Sequence, residues 1–451
     1  MEAVSQLRDT IQRSMFVRDI GSLWSAQVVG ATSAIIQGII VARLLGPSRY
    51  GLAAVVIAVP SLVFVFLDAR ASDAAVRFLG EFHGRREVEK ARAFWAVGMG
   101  LDLSAATATL AVVALIAIWA AHHLVHSAAT TGLLVIYAGA MMIRAPASTS
   151  EACLVTLTRY RALSLTQASI SLAKALISVA FVVASRTVAA LVWGTAAGLV
   201  VEGLAMVGLA TVVAGRVWGP WWRARIGRLR DRAREIAGFV VWADVSSLLG
   251  VAAKQADVVF VGALAGAAAA GFYRLASNFG QLSGFVIAPL QSVLYQRFSR
   301  LRATGSARAA GDAVRRAVLH VALPVGALGI LVVPFAPWVI RATAGARYAP
   351  AGGVAQIMVL IGATWAFLLW VRPLAFSLDE VKLWAATASA IALFSLAGFA
   401  IAVPVYGALG AAWVRFAASL GAQIVPAAAI RGRYARGRYS DMFRPAEARG
   451  S

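Results

Sequence analysis

Eleven ionisable side chains fall inside stretches otherwise built to exclude charge: Asp102, Arg144, Glu151, Lys174, Glu202, Asp244, Lys254, Asp257, Arg274, Arg372 and Arg415. An ionised group at the bilayer centre costs about 2.5–3.5 kcal/mol on insertion scales, so this many cannot all face lipid. Their spacing sorts them. Arg144 and Glu151 lie seven residues apart and share one helix face. Lys254 and Asp257 stand at i,i+3, where they can pair within one helix. Arg274, Asn278 and Gln281 form a polar stripe at i, i+4, i+7. Arg372 precedes Pro373, which breaks or kinks a helix and frees backbone carbonyls. The first apolar stretch adds the uncharged positions Ser22, Gln27, Thr32 and Gln37. Arginines in such a setting hold anions. A carboxyl group of low-dielectric surroundings can exchange a proton in each working cycle, and Glu151, Asp244 and Asp257 are the candidates for that coupling. Each charge also has a plainer reading. Glu202, Asp102 and Arg415 can be helix ends that snorkel to an interface. Asp244 can be a partner of nearby basic residues, and Lys254 with Asp257 can be a pair that only fixes packing.

The elements that must position these groups are membrane-spanning helices. The 451 residues are 60% hydrophobic and only 14% charged, too little polar surface to cover a soluble core. Apolar runs recur near 20–41, 51–69, 94–120, 132–157, 163–185 and 188–214, and again near 238–263, 271–295, 317–340, 354–376, 383–403 and 408–430. Each should be a helix, because backbone polar groups cannot stay open in hydrocarbon. The sequence therefore predicts an all-α polytopic membrane protein of about twelve spans, divided into a six-helix lobe (1–214), a basic linker (215–236), a second six-helix lobe (237–430) and a basic tail (431–451). The first apolar run is too long for a signal h-region and lacks an A-x-A exit, so no cleavable signal is expected.

The excess of 42 Lys+Arg over 20 Asp+Glu would suggest nucleic acid in a soluble chain. Here about 30 basic residues fall on one set of loops and about five (Arg43, Arg49, Arg186, Arg341, Arg347) on the other, which places both termini in the cytoplasm. Trp218, Trp221 and Trp222 ahead of the linker arginines suggest an interfacial helix on anionic lipid headgroups. Val4, Leu7, Ile11 and Met15 make a weaker stripe of the same kind.

Catalytic signals are missing. His122, His123 and His126 lack the glutamate of H-E-x-x-H and a fourth ligand, so no metal is expected. There is no G-x-x-x-x-G-K-[ST], and the single Cys153 excludes an internal disulfide. No cofactor is expected, and the chain is read as a monomer. Gly194 and Gly198 form a G-x-x-x-G that suits close helix packing. Pro289 and Pro373 are the prolines best placed to act as hinges.

The two halves echo each other. VARLLGPSRYGLA leaves the first helix through Gly46 and enters the second past Gly51, and VGALAGAAAAGFYRLA does the same at Gly266 and Gly271, 220 residues later. Six helices per half make such repeats parallel, a common transporter architecture. The first of these stretches with VRFLGEF (76–82), and the long segment Ala253–Leu301 with its Asp257, glycine turn, Gly-x-Tyr and terminal Phe-Ser-Arg, resemble the signatures of the Wzx-like polysaccharide flippases of the MOP exporter superfamily. The resemblance implies a MATE-like fold of two lobes around a central cavity. It also implies movement of a polyprenyl-pyrophosphate-linked oligosaccharide from the inner to the outer leaflet of a bacterial inner membrane, with a polysaccharide polymerase and glycosyltransferases as partners. Arginine pairs its planar fork with phosphate oxygens and stays charged when desolvated. On that reading Arg144, Lys174, Arg274 and Arg372, with Asn278 and Gln37, hold the headgroup. Two alternatives stay open: a multidrug exporter of the same superfamily, which would prefer an acidic cavity, and a membrane glycosyltransferase or polymerase, which would need a large outer loop.

Overall fold

The computed structural model describes residues 2–68, 71–303, 307–378 and 380–436, without the side chains of 2–20, 22–23, 71–73, 241–254, 301–311 and scattered positions between 285 and 300 and at 381. Among these residues the chain is helical and no strand occurs. Packing gathers it into two units, one of residues 1–45 and 56–248, the other of 46–55 with everything from 249 onward.

The first unit holds most of α1 (Glu2–Leu67), then α2 (Ala71–Gly84), α3 (Val88–His123), α4 (Thr131–Arg144), α5 (Ala147–Thr156), α6 (Tyr160–Ser185) and α7 (Val188–Trp218), and the start of α8 (Ala233–Ala265). In α2 the residues Ala74, Ala75, Phe78, Leu79 and Phe82 are buried, a helical stripe that leaves Arg77 and Glu81 on the opposite face. The stripe packs on Phe94 and Trp95 of α3. The fourth span is two helices, α4 and α5, parted at Pro146. Proline cannot donate to the carbonyl four residues back, so the ladder opens there.

The basic linker differs from the interfacial helix expected of it. Beyond Gly219 and Pro220 it forms only short 3-10 turns, Trp221–Arg223 and Ile226–Arg232. Carboxylates on α2 and α3 offer its arginines partners closer than any headgroup. Arg232 grips both oxygens of Glu81 (2.7 and 3.1 Å), Arg228 meets Glu89 at 3.1 Å, and Asp231 receives Lys90 at 2.8 Å. Trp218 is buried against Trp95 and donates its indole N–H to His83 Nδ1 at 3.3 Å. Leu229 is buried as well, while Trp222 and Ile226 are exposed. The segment is a strap drawn onto α2 and α3.

These ion pairs make the strap sensitive to acid. The Arg232 guanidinium on Glu81 holds that carboxyl below its ordinary 4.5, and Lys90 on Asp231 holds that one below its ordinary 3.8. A lowered carboxyl contributes stability above its unfolded value and loses it as pH falls through the folded one. Lys90, raised above 10.5 by Asp231, contributes up to strongly alkaline pH. The strap should therefore stay docked from neutral to alkaline pH and come loose below about pH 4. Fluorescence of Trp218 followed against pH, with Trp218→Phe as the blank, checks this.

The second unit contains residues 46–55 of α1, the end of α8, and α9 (Ala267–Gly280), α10 (Leu282–Ala303), α11 (Ala307–Ala317), α12 (Leu323–Val332), α13 (Ala336–Ala344), α14 (Ala351–Phe367), α15 (Val371–Ser377) and α16 (Val381–Ala435). Here the repeat becomes geometric. Gly46 breaks α1 at φ 74, ψ 170, and Gly266 separates α8 from α9 at φ 86, ψ 171. That backbone region is open only to glycine. The helices leaving these breaks cross at Gly51 and Gly271. A Cβ on Gly51 would lie 1.8 Å from the Ala267 carbonyl oxygen, and one on Gly271 would lie 2.2 Å from that of Pro47. The contacts are reciprocal, Pro47 standing to Gly51 as Ala267 stands to Gly271, as in a pseudo-twofold interface.

Among the described residues, seven stretches are long and apolar enough to span a membrane. Two of them, Trp24–Leu67 and Lys382–Ala435, are double, being broken at Gly46 and Gly407. That makes nine, and Ala351–Phe367 with Val371–Ser377, bent by 43°, makes ten. The helix α8 and the pair α9–α10 complete the twelve of the sequence reading. The bend of the tenth falls just before Pro373, whose missing N–H leaves the Leu369 carbonyl without a helical donor. Pro289 lies outside the described side chains.

Candidate functional site

In the first unit, glycines build a polar cluster. Gly194, Gly198 and Glu202 follow one another at four-residue intervals on α7, so they share a face. A Cβ on Gly194 would meet Ser178 at 2.9 Å, and one on Gly198 would meet the Lys174 side chain at 2.9 Å. The G-x-x-x-G thus packs α7 onto α6 and lets the Lys174 stem run over Gly198 to Glu202, at 2.5 Å. Gly203 admits the end of α4: its Cβ would lie 2.3 Å from the Ile143 carbonyl. That approach brings Arg144 Nε to Glu202 at 2.8 Å. Glu151, on α5 and so parted from Arg144 by the Pro146 break, accepts from Gln167 Nε2 at 2.8 Å and feels the Arg144 charge.

Glu202 is therefore not a snorkelling helix end but the centre of the cluster. Two cations meet it, each on one carboxylate oxygen. Arg144 and Lys174 are therefore paired with a carboxylate, whereas the sequence alone offers both as cations available to the cargo. The signal that would have found Glu202 is its register with Gly194 and Gly198. Gln37 lies half-buried on α1 and has no hydrogen-bond partner among the described residues.

In the second unit, Asp257 pairs with Arg415 from α16 and accepts from the Tyr273 hydroxyl at 2.9 Å. Asp257 and Tyr273 are buried and Arg415 is half-buried. Arg415 is thus an interior partner and not an interfacial end. A coupling role for Asp257 would require this pair to open. Lys254, its expected partner, and Asp244 lie outside the described side chains. One turn along from Tyr273, Asn278 donates to the buried Tyr50 hydroxyl at 3.4 Å, and Arg274 faces the same hydroxyl. Tyr273 is the tyrosine of the Gly-x-Tyr signature, but its bond to Asp257, like that of Tyr50 to Asn278, does not show in residue spacing. Arg372 is exposed, stacks its guanidinium 5.2 Å from the Phe376 ring centre, and has no carboxylate partner among the described residues. The same holds for Arg274. The four expected cations therefore fall into two classes: two paired with a carboxylate in the first unit, and Arg274 and Arg372 in the second.

Asp102 departs from expectation as well. It is buried, and its Oδ2 receives the Thr149 hydroxyl at 2.7 Å, the Ser148 hydroxyl at 2.9 Å and the Thr149 N–H at 3.3 Å. His123 stacks on Trp119 and sits 3.0 Å from its carbonyl oxygen. Among the described residues no group of three or more His, Cys, Asp and Glu is placed to hold a metal ion.

Helices broken at matching glycines and buried charges occur in this fold, and comparison with known proteins gives the lineage. Residues 40–352 match the sequence model of a family described as "Polysaccharide biosynthesis protein". The chain belongs to this family. Its fold is MATE-like. Among solved structures, the lipid II flippase MurJ in an inward closed conformation is 14% identical with a TM-score of 0.73, covering 91% of this chain and 87% of its own. An inward-facing multidrug resistance MATE transporter of the MOP superfamily is 14% identical with a TM-score of 0.66, over 92% and 95%. A Vibrio cholerae MATE transporter is 14% identical with a TM-score of 0.57, over 95% and 99%. At these identities the structures speak for the fold. Among curated proteins no sequence match reaches significance. The chain is a multi-pass membrane protein of this family.

Proposed function

We propose that the protein flips a polyprenyl-pyrophosphate-linked oligosaccharide across a bacterial inner membrane for cell-surface or exported polysaccharide. The observation that carries this reading beyond its family is the state of Arg274 and Arg372, two cations in predicted spans with no carboxylate partner among the described residues. A pyrophosphate supplies the missing countercharge, and guanidinium forks match its oxygens two at a time. Asn278 and the Tyr50 hydroxyl offer hydrogen bonds to sugar hydroxyls. Both termini and the strap face the cytoplasm, where the basic loops concentrate, and the exposed Trp222 beside Arg223 and Arg225 lies against anionic headgroups.

Arg274→Ala with Arg372→Ala should reduce surface polysaccharide by at least about tenfold, one charge-assisted contact being worth about 1.5–3 kcal/mol. Lipid-linked oligosaccharide should accumulate, and membrane abundance should stay level. Normal surface polysaccharide in the double variant would remove the reading. The lysine pair Arg274→Lys, Arg372→Lys should recover export in part, because it restores charge without the fork.

A further inference from the structure

Asp102 is a carboxylate in the first unit's interior whose described hydrogen-bond partners are all neutral. It lies in the middle of α3, 2% exposed, with no arginine or lysine in contact among the described residues. Its position gives it a second property. The Thr149 N–H would, in an unbroken helix, donate to the Ala145 carbonyl four residues back. It turns to Asp102 instead, while the Ser148 N–H and hydroxyl fall back on Ala145 at 3.3 and 3.1 Å. The carboxylate thus caps the start of α5 from a neighbouring helix, with the positive end of the helix dipole aimed at it. A Cβ on Gly98 would meet the Thr149 methyl at 2.9 Å, so α3 and α5 are held close one turn away. Across the break, two residues before Pro146, stands Arg144.

We propose that Asp102 is the proton-carrying group of the transport cycle, and that its charge sets the angle between α4 and α5 and so the position of Arg144. The inference rests on the flippase reading for the meaning of the cycle, but not for the motion itself. With the carboxyl ionised, three charge-assisted hydrogen bonds hold the α5 terminus to α3, each roughly twice as strong as its neutral counterpart. A proton taken from water on Asp102 removes the charge, weakens all three bonds and ends the attraction to the helix dipole. The Thr149 N–H then returns to the Ala145 carbonyl, the break closes toward a continuous helix, and Arg144 is drawn from Glu202. Release of the proton to water resets the cap. The titratable groups facing Asp102 are Asp68 beyond the end of α1 and Cys153 on α5. Neither donates to it.

The test reads the helix angle and needs no glycolipid. Spin labels at Leu103 and Ile143, both exposed, are attached in a Cys153→Ala background of the full chain in nanodiscs, and their distance distribution is measured from pH 8 to pH 5. The expected result is a reversible shift with one midpoint. Asp102→Asn should show the acid distribution at every pH. Thr149→Val, which keeps the carboxyl but removes one donor to its charged form, should move the midpoint to higher pH. Glu151→Gln should leave the response as it is. A pH-independent distance in the unaltered protein, or an unchanged response in Asp102→Asn, would overturn the proposal. If Asp102→Asn does not fold, Thr149→Val decides: an unmoved midpoint counts against Asp102. Loss of export in the Arg274/Arg372 variants with this shift intact, or the reverse, separates the two inferences.

Discussion

Asp257→Ala should destabilise the protein by about 3–5 kcal/mol, the range for removing one partner of a buried ion pair. Arg415 would then keep a charge in a half-buried position with only the Tyr273 hydroxyl beside it, and Tyr273 would lose its acceptor. Thermal unfolding of the detergent-solubilised protein, followed by tryptophan fluorescence, should show the drop as a lowered midpoint. Asp257→Ala with Arg415→Met should recover most of the loss, because replacing a buried pair by apolar groups is often neutral or stabilising. A double variant as unstable as the single one would mean that packing against α16, rather than charge, is what Asp257 supplies. The same cycle separates structure from transport: if the pair also opens during the cycle, the double variant folds but does not export.

Gly271→Val should be at least as damaging, for a steric reason. The obstruction a Cβ would meet is the Pro47 carbonyl, part of the backbone, so no side-chain rotation can relieve it. Overpacking of a well-filled interior costs about 1–3 kcal/mol and occasionally more, and here two helices must separate. Gly51→Val should behave alike from the other side of the crossing. Gly80→Ala and Gly100→Ala serve as controls, since nothing lies within 4 Å of a Cβ at either position. Both should be neutral or slightly stabilising, by up to about 1 kcal/mol. Equal loss of folded protein across all four variants would dismiss the crossing as the cause.

The twelve helices were legible because hydrocarbon allows no other backbone, and the repeat was legible because both turns need glycine. The crossing itself was not legible, since spacing shows that Gly51 and Gly271 are alike but not that they touch. Site residues were legible as a set and not as partners. Arg144, Lys174 and Glu202 stand on three helices, 30 and 28 residues apart in sequence (174 − 144 and 202 − 174), and which carboxylate meets which cation depends on how α4, α6 and α7 pack. Asp102 was misjudged for a related reason. Its donors come from a helix start that exists only because Pro146 breaks the fourth span. The linker erred in the opposite direction: its composition suits a lipid surface, but Glu81, Glu89 and Lys90 sit nearer.

The crossing of Gly51 with Gly271 also constrains how the protein is made. Its second strand is synthesised 220 residues after the first (271 − 51), which at roughly 5–20 residues per second takes about 10–45 s. Throughout that interval residues 46–55 have no mate, although they package with the second half and not with the helices on either side of them. Insertion of the first six helices therefore yields a half-molecule with an open seam at its second helix. That seam closes only once the second half has been made.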